Sequence, residues 1–151
     1  MRHRALLALF ATLVAGGAAA ADDKAAPAHD ASAASKGALT FKTNCAVCHG
    51  RTGHGDGPLS ASLRIASADL THISKRNRGK FPFDKMTKII DGREHVAGHG
   101  DSDMPVWGDA FLTSRDGYNE GKVREKIREL VQYLASIQET AEARRSSTPE
   151  R

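Results

Sequence analysis

Two cysteines and a histidine stand within five residues, Cys45-Ala46-Val47-Cys48-His49, and they constrain this 151-residue chain more than any other feature. They are the only two cysteines, so a disulfide-dense scaffold is not available. A single disulfide between them would close a tiny loop and contribute little through chain entropy. A redox dithiol of this spacing needs a thioredoxin-like βαβ setting, and no alternating strand of useful length occurs in the sequence. Tetrahedral zinc wants four ligands at workable spacings, which adjacent Cys48 and His49 make awkward. The spacing that remains is the covalent attachment signature of a c-type haem. Two thiols three residues apart at the end of a helix can reach the two vinyl groups of one porphyrin, each adding to make a thioether. His49 then projects its imidazole to the iron. Both thiols serve one haem, so a second haem of this kind has nothing to hold it.

Composition agrees. Hydrophobic residues make 40% of the chain and charged residues 26%, ordinary for a soluble globular protein, and the length suits one domain. Aromatic residues are only 5%, thin for a core of this size. Long glycine-rich loops also need something to organise them in a compact domain. A large buried cofactor answers both.

The N-terminus carries Arg2, His3 and Arg4, then an apolar run over residues 5–17, then small residues from Ala18 to Ala21 before Asp22 and Asp23. This is the layout of a secretory signal peptide over residues 1–21, and it predicts an exported, periplasmic protein. The alternative is an uncleaved anchor, but residues 5–21 are largely Ala and Gly and short of the ~20 apolar residues a spanning helix needs. Cleavage removes Arg2 and Arg4 and takes the formal net charge from +4 to +2. No basic run is interleaved with aromatics, so nucleic acid is set aside.

Residues 22–34 are expected to be a flexible lead-in, 35–140 the domain, and 141–151 a polar tail. No internal repeat is visible. A short helix is predicted over 37–45, with Ala38, Leu39 and Phe41 as its apolar side. Residues 50–58 are loop, 59–68 hold a helical turn or two, and 71–80 wrap the surface. Pro82 opens a helix that carries Phe83, Met86, Ile89 and Ile90 at helical spacing and stops at Gly92. Residues 95–108 are again loop. The strongest helix is capped by Asn119 and carries Val123, Ile127, Leu130, Val131, Leu134 and Ile137 on one stripe, with Lys122, Glu125, Lys126 and Glu129 on its wet side.

Function turns on the sixth iron position. An open position permits oxygen or peroxide chemistry or gas sensing, and a strong sixth ligand leaves an electron carrier. Candidates are Met86, Met104, His29, His54, His72, His95 and His99. Met86 lies on an apolar helix face, where a core role is favoured. Met104 lies in a loop, has no helix face to fill, is stiffened by Pro105, and follows His49 by 55 residues. His95 and His99 have the spacing of a helical metal pair, but Gly98 and Gly100 argue against a helix there. A surface or propionate contact suits them better. Trp107 either hydrogen-bonds a propionate or packs over the ring.

Residues 35–138 resemble a class I cytochrome c of the bacterial single-haem kind. Cys45-Ala46-Val47-Cys48-His49-Gly50 is similar to that family's haem-binding motif, and Met104-Pro105-Val106-Trp107 to its distal methionine motif. Gly57-Pro58-Leu59 resembles the stretch whose proline carbonyl accepts a hydrogen bond from the proximal histidine. Leu130 to Leu134 resembles the aromatic-bearing C-terminal helix, which in the family crosses the N-terminal helix at a small residue, here Gly37, with Phe41 one turn on. The resemblance implies an all-α cytochrome c fold of short helices and long loops around one covalent haem c. It implies His49 and Met104 as iron ligands and no catalytic residue. A soft thioether favours ferrous iron and raises the potential, and the Pro58 carbonyl would orient His49.

The expected function is that of a monomeric carrier of single electrons between redox proteins such as an oxidase, reductase or dehydrogenase, and not an enzyme. The rivals are a peroxidase-like haem enzyme or sensor with a labile sixth ligand, and an oxidase or dehydrogenase subunit anchored by residues 5–21. Residues 64–93 hold eight Lys and Arg against three Asp. Such a segment would steer an acidic partner if it bordered the haem edge.

Overall fold

The computed structural model describes residues 30–93 and 104–139. Every regular element among them is helical, as the sequence predicts. In chain order these are α1 (Ala31–Asn44), α2 (Ala46–His49), a single 3-10 turn (Ser60–Ser62), α3 (Ile73–Arg76), α4 (Phe83–Asp91), α5 (Trp107–Leu112) and α6 (Glu120–Ser136). None of the described helices is long and apolar enough to cross a membrane. The predicted signal segment, most of the lead-in, the polar tail, and His29, His95 and His99 lie outside the described residues.

The first helix begins at Ala31, six residues before the predicted start, so 31–34 belong to the folded domain and not to a lead-in. Asp30 caps it by accepting from the Ala33 N–H. The same residue is tied to α6, since its N–H donates to Gln132 Oε1 at 3.1 Å and its carboxylate meets Arg128 at 3.5 Å. Ala33 and Ala34 are buried. An alanine-rich run looks like a linker until a second helix covers it.

The packing of α1 on α6 is the frame of the fold. Gly37 sits at the crossing: a Cβ there would run into the Glu129 backbone carbonyl and lie 2.9 Å from Tyr133 Cβ. One turn on, Phe41 packs its ring against Tyr133 at 5.1 Å between centroids. Around this contact Val123, Ile127, Leu130, Val131 and Leu134 are buried on the α6 stripe. Asn119 caps α6 by accepting from the Lys122 N–H. Glu129, expected on the wet side, is instead buried beneath α1 and paired with Lys36 at 3.2 Å. The crossing brings the two backbones so close that a position beside the stripe is covered as well.

The middle helix α4 runs as predicted and ends at Gly92, whose φ of 72° is the left-handed conformation that closes a helix at little cost. Its Met86 and Ile90 join the core. Two expected loops are partly helical. Residues 73–76 form a turn of helix because Thr71 and Ile73 are buried, leaving only 75–80 to run over the surface. Trp107 and Gly108 open α5 instead of ending a loop, because Trp107 and Phe111, one turn apart, stack at 5.3 Å.

Replacing Gly37 by Ala tests the crossing. Helix propensity alone would favour Ala by up to ~1 kcal/mol, but overpacking against a backbone carbonyl that cannot rotate away costs typically ~1–3 kcal/mol. The expected outcome is a net loss of stability, read as a lower denaturant midpoint; a gain would show that α1 and α6 do not approach this closely.

Candidate functional site

The chain passes from α1 to α2 through Cys45 without leaving helical backbone, and the Cys45 N–H donates to the Phe41 carbonyl. Cys45, Cys48 and His49 are therefore spaced i, i+3 and i+4 and share a face. That face opens on a cavity of about 440 Å³, within the range of cofactor sites. Its walls come from every part of the chain: Phe41 from α1, Leu63, Ile65 and Leu70 from the connecting loop, Met86 and Ile90 from α4, and Leu130 and Leu134 from α6. Met104, Pro105 and Trp107 line it too. The structure thus gathers Cys45, Cys48, His49, Met104 and Trp107 around one space.

The His49 ring is oriented by a backbone carbonyl, but not the expected one. Its Nδ1–H donates to the Ala68 carbonyl at 3.0 Å, which leaves Nε2 as the nitrogen free to ligate. Pro58 is exposed and is not part of the cavity wall. The reason lies in the loop's backbone pairing. Gly55, Gly57 and Leu59 donate in turn to the carbonyls of His49, Cys48 and Val47. This fastens 55–59 against the backbone of α2, and the chain comes back to the ring only at Ala68.

Ala68 acts through its main chain, so no side-chain signal could have singled it out. The residues that fix it could have been found only by their partners. Next to it, the Asp69 carboxylate accepts from the Thr71 N–H at 2.8 Å, from Thr71 Oγ1 at 2.6 Å and from His72 Nδ1 at 2.7 Å. Partial burial works against ionising Asp69, but these hydrogen bonds outweigh it and bring its pKa from 3.8 to about 2. Arg76 donates to the Asp69 carbonyl at 2.6 Å. Beyond it, the Glu139 carboxylate meets both His72 Nε2 and His54 Nε2 at 3.2 Å. His54 and His72, candidates for the iron on sequence, belong to this outer network and do not line the cavity.

The two thiols are not joined. Burial pushes the Cys45 thiol up to about 12, with the neighbouring Cys48 adding to the shift. Such a shift favours the protonated thiol at neutral pH over a thiolate. Both methionines reach the cavity: Met86 is buried on α4, and Met104 is half-buried on irregular backbone.

These residues fit a covalently held haem. The space is apolar and large, both thiols border it, a histidine presents one free nitrogen to it, and a thioether is supplied from a distant part of the chain. Residues 32–119 match the sequence pattern of the family described as Cytochrome C oxidase, cbb3-type, subunit III. No curated protein and no solved structure matched the chain.

The Asp69 network carries a pH signature. A carboxylate whose folded pKa is depressed contributes stability above its ordinary pKa of 3.8 and loses it as pH falls toward about 2. Asp69→Asn is expected to flatten the fall in stability between pH 4 and 2, measured by denaturant midpoints against pH. An unchanged slope would remove Asp69 as the anchor of the Ala68 turn.

Proposed function

Because this chain belongs to the cytochrome c oxidase, cbb3-type, subunit III family of c-type cytochrome domains, we propose that it is an exported, periplasmic carrier of single electrons with one haem c. The observation that carries this reading is the convergence of Cys45, Cys48, His49 and Met104 on one cavity. When bound, the haem supplies a one-electron iron couple, and the chain's residues decide how that couple is used. Cys45 and Cys48 would hold the porphyrin as thioethers. His49, through Nε2, and Met104, through its thioether sulfur, would ligate the iron. The Ala68 carbonyl, accepting from Nδ1–H, fixes the ring's orientation and raises the basicity of Nε2. As the sixth ligand, Met104 would take the position a substrate needs. Leu130, Leu134, Ile90 and Met86 keep water from the buried side. Trp107 packs on Phe111 at the cavity wall. With His49 and Met104 both serving as ligands, the iron would have no position left for a substrate, which supports a carrier over an enzyme.

Its partners are redox proteins met transiently by a monomer. Arg76 and Lys85 border the cavity, so the basic segment 64–93 would contribute positive charge beside a haem held there, suited to an acidic docking face. A second reading is supported by the family's own description, which names a subunit of an oxidase. In that case the N-terminal segment stays uncleaved and the domain remains at the membrane. The intact mass of the protein isolated from the periplasm or the membrane separates the two.

The test is the absorption spectrum of the matured protein, oxidised and reduced, with and without carbon monoxide. Low-spin spectra, a methionine–ferric charge-transfer band and no response to carbon monoxide are expected. High-spin features or ready carbon monoxide binding at neutral pH would overturn the carrier in favour of an enzyme or sensor. Met104→Ala is expected to lose the band and bind carbon monoxide, while Cys45→Ala should lower the yield of covalently attached haem. Oxidation by ferricyanide, a small anion, is expected to slow as salt rises; a rate indifferent to salt would remove the basic docking face.

A further inference from the structure

The Arg93 guanidinium makes an arrangement that the carrier function above does not use. It clamps three helices at one point. Its Nε and Nη2 donate to the two Asp91 carboxylate oxygens at 2.6 and 2.8 Å, a bidentate pair at the end of α4. Its Nη1 donates to Glu120 Oε1 at 2.8 Å, at the start of α6. The pair lies against Gly108 in α5, where a Cβ would strike Arg93 Nε and come within 2.6 Å of Asp91 Oδ1. One residue before Arg93, a Cβ on Gly92 would lie 3.2 Å from Val106 Cα. The backbone entering the 94–105 stretch and the backbone leaving it are therefore pressed together, and Met104 stands two residues from that junction.

A thioether is a weak, neutral ligand, and it stays on iron only if the chain keeps the sulfur at a high effective concentration. Fixing both ends of the segment that carries it removes loop-closure entropy. We infer that Arg93 is a positioning residue for the sixth ligand: by joining Asp91, Gly108 and Glu120 it closes the base of the Met104 segment and holds Met104 toward the cavity. This rests on Met104 being the ligand, as proposed above. Arg93 does not line the cavity, and it acts through Gly108, which its side chain meets, and through Gly92, its neighbour in the chain, which lies against Val106.

The experiment is competition on the ferric holoprotein: added imidazole displaces a labile methionine, so its dissociation constant reports how firmly Met104 is held. Arg93→Ala is expected to bind imidazole roughly fivefold more tightly than the wild type and to show a weaker methionine–ferric charge-transfer band. Arg93→Lys keeps the charge without the fork and should fall between them. Arg128→Ala, which breaks an ion pair to Asp30 on the far stretch of α6, should leave imidazole affinity unchanged. Should Arg93→Ala fail to fold, Glu120→Gln cuts only the α6 arm and is expected to move imidazole affinity in the same direction by less. A wild type without the charge-transfer band overturns the Met104 reading itself. A wild type with the band, and Arg93 and Glu120 variants that bind imidazole as it does, overturns the clamp alone.

Discussion

Everything in this molecule hangs on the close approach of α1 to α6 at Gly37. The Glu129 carbonyl occupies the space a side chain would take, and that contact brings Phe41 onto Tyr133 and the α6 stripe onto α1. Because α2 continues from α1 through Cys45, the same packing decides where both thiols and His49 point. Leu130 and Leu134, from the other partner in the crossing, form the floor of the cavity. The α1–α6 packing and the cavity share one set of contacts, centred on Gly37, Phe41, Leu130 and Leu134.

The site is assembled from segments of unequal rigidity. The proximal side is built on helix and locked by backbone hydrogen bonds: three successive bonds fasten 55–59 to α2, and the Asp69 turn presents the Ala68 carbonyl to His49. Gln138 extends this to the end of α6, accepting from the Ser74 N–H and donating to the Leu70 and Leu134 carbonyls. On the Met104 side, the described residues show no comparable run of backbone hydrogen bonds. Met104 comes from irregular backbone between α4 and α5, and ion pairs and a glycine contact stand in for a helix. This contrast suits the ligand pair proposed above, a strongly binding histidine and a weakly binding thioether.

Several parts of this were legible in the sequence because they are local. The C-x-x-C-H spacing, the α4 stripe with its Gly92 stop, and the Asn119-capped α6 each depend on residues within a few turns of one another. Gly37 and Phe41 were also identifiable, through the resemblance to class I cytochromes c. Less local features were misread. Asp30 and the alanines after it look like a linker, since their ordering comes from Gln132 and Arg128, a hundred residues away. Glu129 looks solvated because the crossing that covers it is invisible along the chain. Pro58 looked like the acceptor for His49 because the tight backbone pairing of 55–59 cannot be read from side chains.

By itself the sequence carried the chemical proposal: two thiols and an imidazole at helical spacing form the attachment signature of a c-type haem, and the match to a c-type cytochrome family agrees with it. Tertiary structure alone decided which carbonyl orients the histidine, which histidines are drawn into a hydrogen-bonded network outside the cavity lining, and which arginine ties the helices beside the methionine. The physical reason is the nature of the contacts. Covalent attachment and helix periodicity follow from residues near in sequence. Backbone acceptors and long-range ion pairs exist only once the helices have packed, and any of several carbonyls or charges could have served.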